Sequence, residues 1–268
     1  MKQALFSIIW FTWMSLHMAM AQNTCVNVPH IKTLQVIANG NWMAPPIIHL
    51  NTTDKVEISF DELTHEYHRY TYKIIHCNAD WTPSDLFDTD YLQGFNDNVI
   101  ENYENSLNTT MLYTHYSFQL PNEEAQLLIS GNYQVNIYGE DDEETPVAQA
   151  CFSVIEPRVG VSAEVSSNTD IDTNESHQQV SFTVNYPGMN VTSPQSEFNV
   201  RVYQNQRTDN CVSDLQPTYL QPGQMQFVHN RKLIFPAGNE YRRFEVFNMH
   251  YGYQDVEQMQ FFNPYYHA

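Results

Sequence analysis

Apolar residues recur at every second position along much of this chain, and that period leaves little room for anything but β-strands. Val56, Ile58 and Phe60 alternate with Lys55, Glu57 and Ser59, and Tyr133, Val135 and Ile137 alternate with Gln134, Asn136 and Tyr138. The same rhythm runs through Val180, Phe182, Val184 and Tyr186, and through Phe198, Val200 and Val202. Successive side chains of a strand point to opposite faces, so the pattern sets one face on a core and the other in water. Residues 69–77 and 112–120 are also strand-like, rich in Tyr, Ile and Thr. No stretch of ten or more residues carries a strong helical stripe. Many short strands parted by Gly, Pro and Asn turns predict an all-β fold of two tandem immunoglobulin-like β-sandwich domains. The boundary is expected at Glu156-Pro157, between a closing strand at 147–155 and an opening strand at 159–165. That gives a first domain over 22–156 and a second over 157–268, with 166–176 as an exposed polar loop.

The first 21 residues stand apart. Lys2 precedes an apolar run at 4–18, and Ala19-Met20-Ala21 has the small-x-small form of a signal-peptidase site. The run is shorter than the roughly 20 residues a membrane helix needs, so residues 1–21 read as a cleaved secretory signal peptide. Cys25 lies too far past the cut to be a lipidation site, which leaves a soluble exported chain starting at Gln22. Twelve Lys and Arg stand against 31 Asp and Glu, for a net charge of −19. This excludes binding of nucleic acid or anionic membrane by bulk electrostatics. Export permits disulfides, and the four cysteines, Cys25, Cys77, Cys151 and Cys211, allow three full pairings. Either Cys77 and Cys151 are bridged, or they are buried free thiols that pack as small apolar residues.

Residues 78–110 break the rhythm. A connection this long in a compact domain is usually functional or disordered, and its aromatic content argues against disorder. Within it, Asp97 is placed to cap a short helix running to Tyr103. The segment is either a folded cover on the end of the sandwich or a partner surface. As a partner surface it would offer Trp81, Pro83, Asp85, Tyr91 and Phe95, because interface cores favour large aromatics. Trp81 has a second reading as a core anchor, and Pro83 and Gly94 have turn roles. Arg242 and Arg243 either meet an acidic partner or pair with this chain's own surplus acids.

Nothing in the chain marks a catalytic centre. There is no G-x-S-x-G, no Gly-rich phosphate loop and no H-E-x-x-H. His65 and His68 lie three apart, but on a turn and strand they do not share a face as they would on a helix. The acidic run 140–144 lacks the ligand spacing of a calcium loop and reads as a solvated hairpin tip. The expectation is a non-enzyme with no metal and no cofactor. A glycan-binding module is the competing class, since exposed aromatics on a β-sandwich can stack on sugars. A glycosidase would need two carboxylates about 5–10 Å apart, a distance that spacing does not reveal.

Several short blocks together resemble one family. His76-Cys77-Asn78-Ala79-Asp80-Trp81-Thr82-Pro83-Ser84 and Tyr91-Leu92-Gln93-Gly94-Phe95 are similar to blocks of the type IX secretion system plug proteins, formerly a Bacteroidetes domain of unknown function. Tyr113-Thr114-His115-Tyr116, Ser130-Gly131-Asn132-Tyr133, the segment from Phe235 to Phe244 and Asn263-Pro264-Tyr265-Tyr266-His267 resemble further blocks in the same order. The resemblance implies a periplasmic all-β protein that docks on the large outer-membrane translocon barrel and occludes its channel. Members of that family run past the Pro-Tyr-Tyr-His block, whereas this chain stops at Ala268, so the second domain is expected to be truncated relative to the family.

Overall fold

The computed structural model describes residues 24–140, 142, 144–205, 207, 209–238 and 259–267. The signal-peptide reading of 1–21 lies outside them. In chain order the elements are β1 (Cys25–Val26), β2 (Ile31–Ala38), β3 (Ile47–His49), β4 (Val56–Glu62), β5 (Tyr70–Cys77), α1 (Asp88–Tyr91), β6 (Leu92–Gly94), β7 (Asn98–Val99), β8 (Asn102–Asn105), β9 (Thr114–Leu120), β10 (Ala125–Leu127), β11 (Gly131–Gly139) and β12 (Ala148–Ile155). There follow β13 (Gly160–Ser166), β14 (His177–Asn185), α2 (Pro194–Glu197), β15 (Val202–Tyr203), β16 (Cys211–Val212), β17 (Tyr219–Gln221), β18 (Gln224–Phe227), a 3-10 turn at Arg231–Leu233, β19 (Ile234–Pro236), β20 (Gln260–Phe262) and β21 (Tyr265–His267). The protein is all-β, as the period of two requires. Two compact units divide after Arg158, with Asn205–Cys211 counted in the first.

The first unit is a sandwich of two antiparallel sheets. One has the order β1-β12-β11-β5-β7, with β3 added in parallel to β12. The other has the order β2-β4-β9-β8. Alternation sends Tyr70, Tyr72 and Ile74 of β5 and Tyr133, Val135 and Ile137 of β11 inward. They meet Val56, Ile58 and Phe60 of β4 and Tyr116 and Leu120 of β9 in one core. Aromatic rings join the two layers. Tyr72 stacks on Phe118 at 4.4 Å between centroids, and Tyr70 meets both Phe60 and Tyr116 edge-on, at 5.2 Å and 5.0 Å. Edge-to-face and offset pairs of this kind add to area burial because the positive ring edge meets a negative face.

The second unit is described by itself. Its sheet runs β13-β14-β18-β17, with β19 also on β14. Phe182 and Phe227 sit directly opposite in register and stack at 4.5 Å, within a core that includes Val184, Met225 and Phe235. Two sequence expectations need correction. The strand expected through Phe198–Tyr203 shortens to β15, because Pro194 opens a one-turn helix just before it. The helix expected from Asp97 to Tyr103 is replaced by β7 and β8, because those residues find open strand edges on β5 and β9.

Phe60 is fully buried and touches rings from both layers. Phe60→Ala should therefore cost about 3–5 kcal/mol of stability through lost burial and a residual cavity, read as a lowered midpoint in urea unfolding.

Candidate functional site

The connection between β5 and β9 is a folded cover on one edge of a sheet. On its other side β5 is zipped to β11 over eight residue pairs. The groups at Tyr70, Tyr72, Ile74 and His76 point to the open edge and need partners, since a buried backbone group without one costs about as much as a lost hydrogen bond. Ile100 N–H donates to the Tyr70 carbonyl at 2.9 Å, and Asn98 pairs with Tyr72 in β7. The Asn96 side chain then does what a strand would do at Ile74. Its amide oxygen accepts the Ile74 N–H at 2.7 Å, and its NH₂ donates to the Ile74 carbonyl at 2.9 Å. Ser84 N–H donates to the His76 carbonyl at 2.9 Å. The same NH₂ of Asn96 also reaches Asp88 at 2.7 Å, and Asp88 accepts from the Tyr91 hydroxyl at 2.6 Å.

Trp81 anchors the cover's first turn. Its backbone is left-handed at φ 69°, unusual for a bulky residue, and this is offset by burial of the indole against Cys77 and Cys151. Thr82 holds the turn by donating both its N–H and its hydroxyl to Asp80. At the other end, Gly94 (φ 120°) brings β6 against β10, where a side chain would collide with the Glu124 carbonyl. A cleft of about 480 Å³ opens beside α1, lined by Lys73, Leu86, Asp88, Asp97 and Tyr138 among others. Lys73 lies 3.8 Å from Asp97 and 5.2 Å above the Tyr138 ring.

The structure sorts the expected interface residues into two groups. Trp81 and Tyr91 are 6% and 3% exposed, so neither touches a partner while the cover is in place. They hold the cover down, and the core-anchor reading applies to Trp81. Pro83, Asp85 and Phe95 are exposed, Phe95 by 79%. Sequence reasoning missed Phe87, which is 78% exposed at the head of α1. The signal was Asp90 three residues on, whose carboxylate accepts the Phe87 N–H at 2.9 Å and so marks Phe87 as the residue that opens α1. Arg242 and Arg243 lie outside the described residues. The Cys77–Cys151 bridge is not formed. Cys77 pairs with Asn132 and Cys151 with Gln134, so β11 runs between them. Two strand spacings of about 4.8 Å each exceed the Cα separation of about 7 Å that a disulfide spans. Burial pushes the Cys77 thiol up to about 11, so it stays protonated and unreactive at neutral pH.

These features define an all-β sandwich module with one connection elaborated into a folded cover. Residues 31–156 match the type 9 secretion system plug protein first domain. The chain is also similar to a hypothetical protein of Parabacteroides merdae known from its crystal structure. The two share 48% sequence identity and superpose with a TM-score of 0.80, over 91% of this chain and 61% of that one. The chain thus spans about three-fifths of that relative's length. No curated protein matches it. Among the described residues no helix is long and apolar enough to cross a membrane.

Two outcomes test the cover. Asn96→Ala should cost about 1–3 kcal/mol, because it leaves the Ile74 N–H without its acceptor, whereas Phe95→Ala should stay within about 0.5 kcal/mol. Both are read by urea unfolding. The second concerns His76, whose pKa burial lowers from 6.5. The folded chain then binds fewer protons than the unfolded one below that pH. The stability from a neutral His76 is present above about pH 6.5 and is lost as pH falls below it. His76→Gln should flatten the stability profile just below about pH 6.5, leaving the lower window of Asp54, Asp170 and Asp172, whose carboxyl pKa values side-chain hydrogen bonds depress, unchanged.

Proposed function

We propose that this protein is a periplasmic gating subunit of type IX secretion, docking on the outer-membrane translocon and occluding its channel by bulk, without bond chemistry. The observation that carries the reading is the plug-protein first domain over residues 31–156. Supporting it is a surface suited to steric work. Phe87 and Phe95 stand out from a cover whose backbone is tied to β5 and β10, and acidic Asp85 is exposed on the same connection. Aromatic side chains on a rigid base make effective interface anchors, because little freedom is lost when they are buried. A stable contact would bury about 800 Å² on each partner, more than these side chains alone supply, so they would form the centre of a wider footprint.

Capture on the tagged, signal-cleaved chain from an envelope extract of its own organism should recover a very large outer-membrane barrel, identified by mass spectrometry. Phe95→Asp should lower that recovery by about tenfold or more while leaving the unfolding midpoint unchanged. Recovery of no barrel from cells shown to make one would rule out docking by this chain. Retention of an envelope polysaccharide in its place would move the reading to a glycan-binding module.

A further inference from the structure

β13 is the outer strand of the second unit's sheet, and among the described residues only its β14 side is paired. The other side presents backbone N–H and C=O groups ready to pair, and native proteins blunt such an edge by shortness, bulges, Pro or Lys. In the larger sheets the other edges do this. β1, β3, β7, β17 and β19 are two or three residues long, β8 has four residues with Glu104 among them, and β2 is broken by a register shift between Lys32 and Gln35. β13 has none of these devices. Its seven residues include no Lys, Arg or Pro and pair with β14 in unbroken register. One face of the strand is also bare. Val161 lies opposite Val184, Ala163 opposite Phe182 and Val165 opposite Val180, so the three share the face that carries the second unit's core. Phe182 and Val184 are buried there, whereas Val161 and Val165 are 64% and 61% exposed. The apolar face of the sheet runs one strand further than its core.

The strand is complementary to itself. In Gly160-Val161-Ser162-Ala163-Glu164-Val165-Ser166, antiparallel pairing centred on Ala163 sets Val161 of each copy against Val165 of the other, and Ala163 against Ala163. These pairs all fall on the bare apolar face, because directly opposite residues share a face. On the polar face Ser162 meets Glu164, so the strand's one charge never faces its own copy. We propose that β13 pairs with β13 of a second copy, joining the two second-unit sheets into one across a two-fold axis at Ala163. A two-fold contact closes on itself and stops at two chains. One strand pair buries less than the roughly 1,200 Å² at which stable interfaces begin, and both copies are acidic, with a net charge of −19 each. The dimer is therefore weak, reversible and favoured by salt, which screens the repulsion. The proposal goes beyond the plug reading and does not depend on it.

The test is sedimentation equilibrium of the signal-cleaved chain in about 0.15 M salt. Between about 10 µM and 1 mM the average mass should rise from one chain toward two and no further. Ala163→Lys sets two like charges face to face on the axis and should weaken the dimer about tenfold or more. Ala163 is exposed, so the variant should melt like the parent. Ala163→Glu should act in the same way, and an equimolar mixture of the two variants should restore a dimer, which only a register centred on residue 163 explains. Ser162→Lys, opposite Glu164 of the second copy, should tighten the dimer several-fold and decides the matter if the Ala163 variants do not fold. The β13 amides that point away from β14 should exchange fast in the dilute chain and slowly in the concentrated one. A monomer at every concentration, open-ended assembly, or a dimer indifferent to these charges would overturn the proposal. So would protection of those amides in the dilute monomer, which would give the edge to another segment of the same chain.

Discussion

The requirement that governs the first unit is that β5 must be satisfied along both edges. It runs through the middle of the aromatic core, with Tyr70, Tyr72 and Ile74 inside, so it cannot leave bare amides on a buried flank. One flank is a regular ladder to β11. The other is assembled from unlike pieces: a two-residue strand, an asparagine side chain, a tyrosine hydroxyl and a serine N–H. The long connection is therefore part of the sheet in energetic terms, although little of it is sheet by geometry. Open edges are a hazard because they invite pairing with other chains, and this one is closed by backbone groups of the cover with side chains filling in at Ile74.

That solution divides the cover into an inner and an outer set of residues. Trp81, Tyr91 and Asn96 point down and bond or pack against the sheet, and Asp88 accepts hydrogen bonds from the last two. Pro83, Asp85, Phe87 and Phe95 point away. Burial of Tyr91, strengthened by the adjacent Asp88 carboxylate, keeps its phenol protonated far above neutral pH, so the Tyr91–Asp88 bond keeps its proton across the physiological range. The outer set joins this scaffold through its backbone and leaves its side chains exposed, and a binding surface of fixed shape needs that separation.

The strands were readable because the core is two-layered. Where one face is buried and the other wet, as in β4, β11 and β14, alternation is strong and the element follows directly. The pattern misled at Phe198–Tyr203, where apolar residues alternate but only two join a strand. It was silent on β6 and β10 and gave a helix in place of β7 and most of β8, each four residues or fewer, too short for any period to register. Trp81 and Tyr91 appeared as candidate contacts because aromatic character alone does not distinguish a residue facing a partner from one facing its own sheet. Asn96 was illegible for a similar reason: its role depends on the unpaired edge at Ile74, which is a property of the assembled sheet. The cysteine alternative was settled by register, which places β11 between the two thiols.

Gly94 and Trp81 fix two points of the cover by shape. The one lies so close to Glu124 that no side chain fits, and the other is wedged over two thiols. Around these clamps the outward positions make few demands on the fold. Sequence drift in this segment is thereby channelled: the clamps and Asn96 tolerate almost no replacement, while 85, 87 and 95 are free to vary with whatever they meet. A lineage could retune the face of this module repeatedly and keep the same sandwich beneath it.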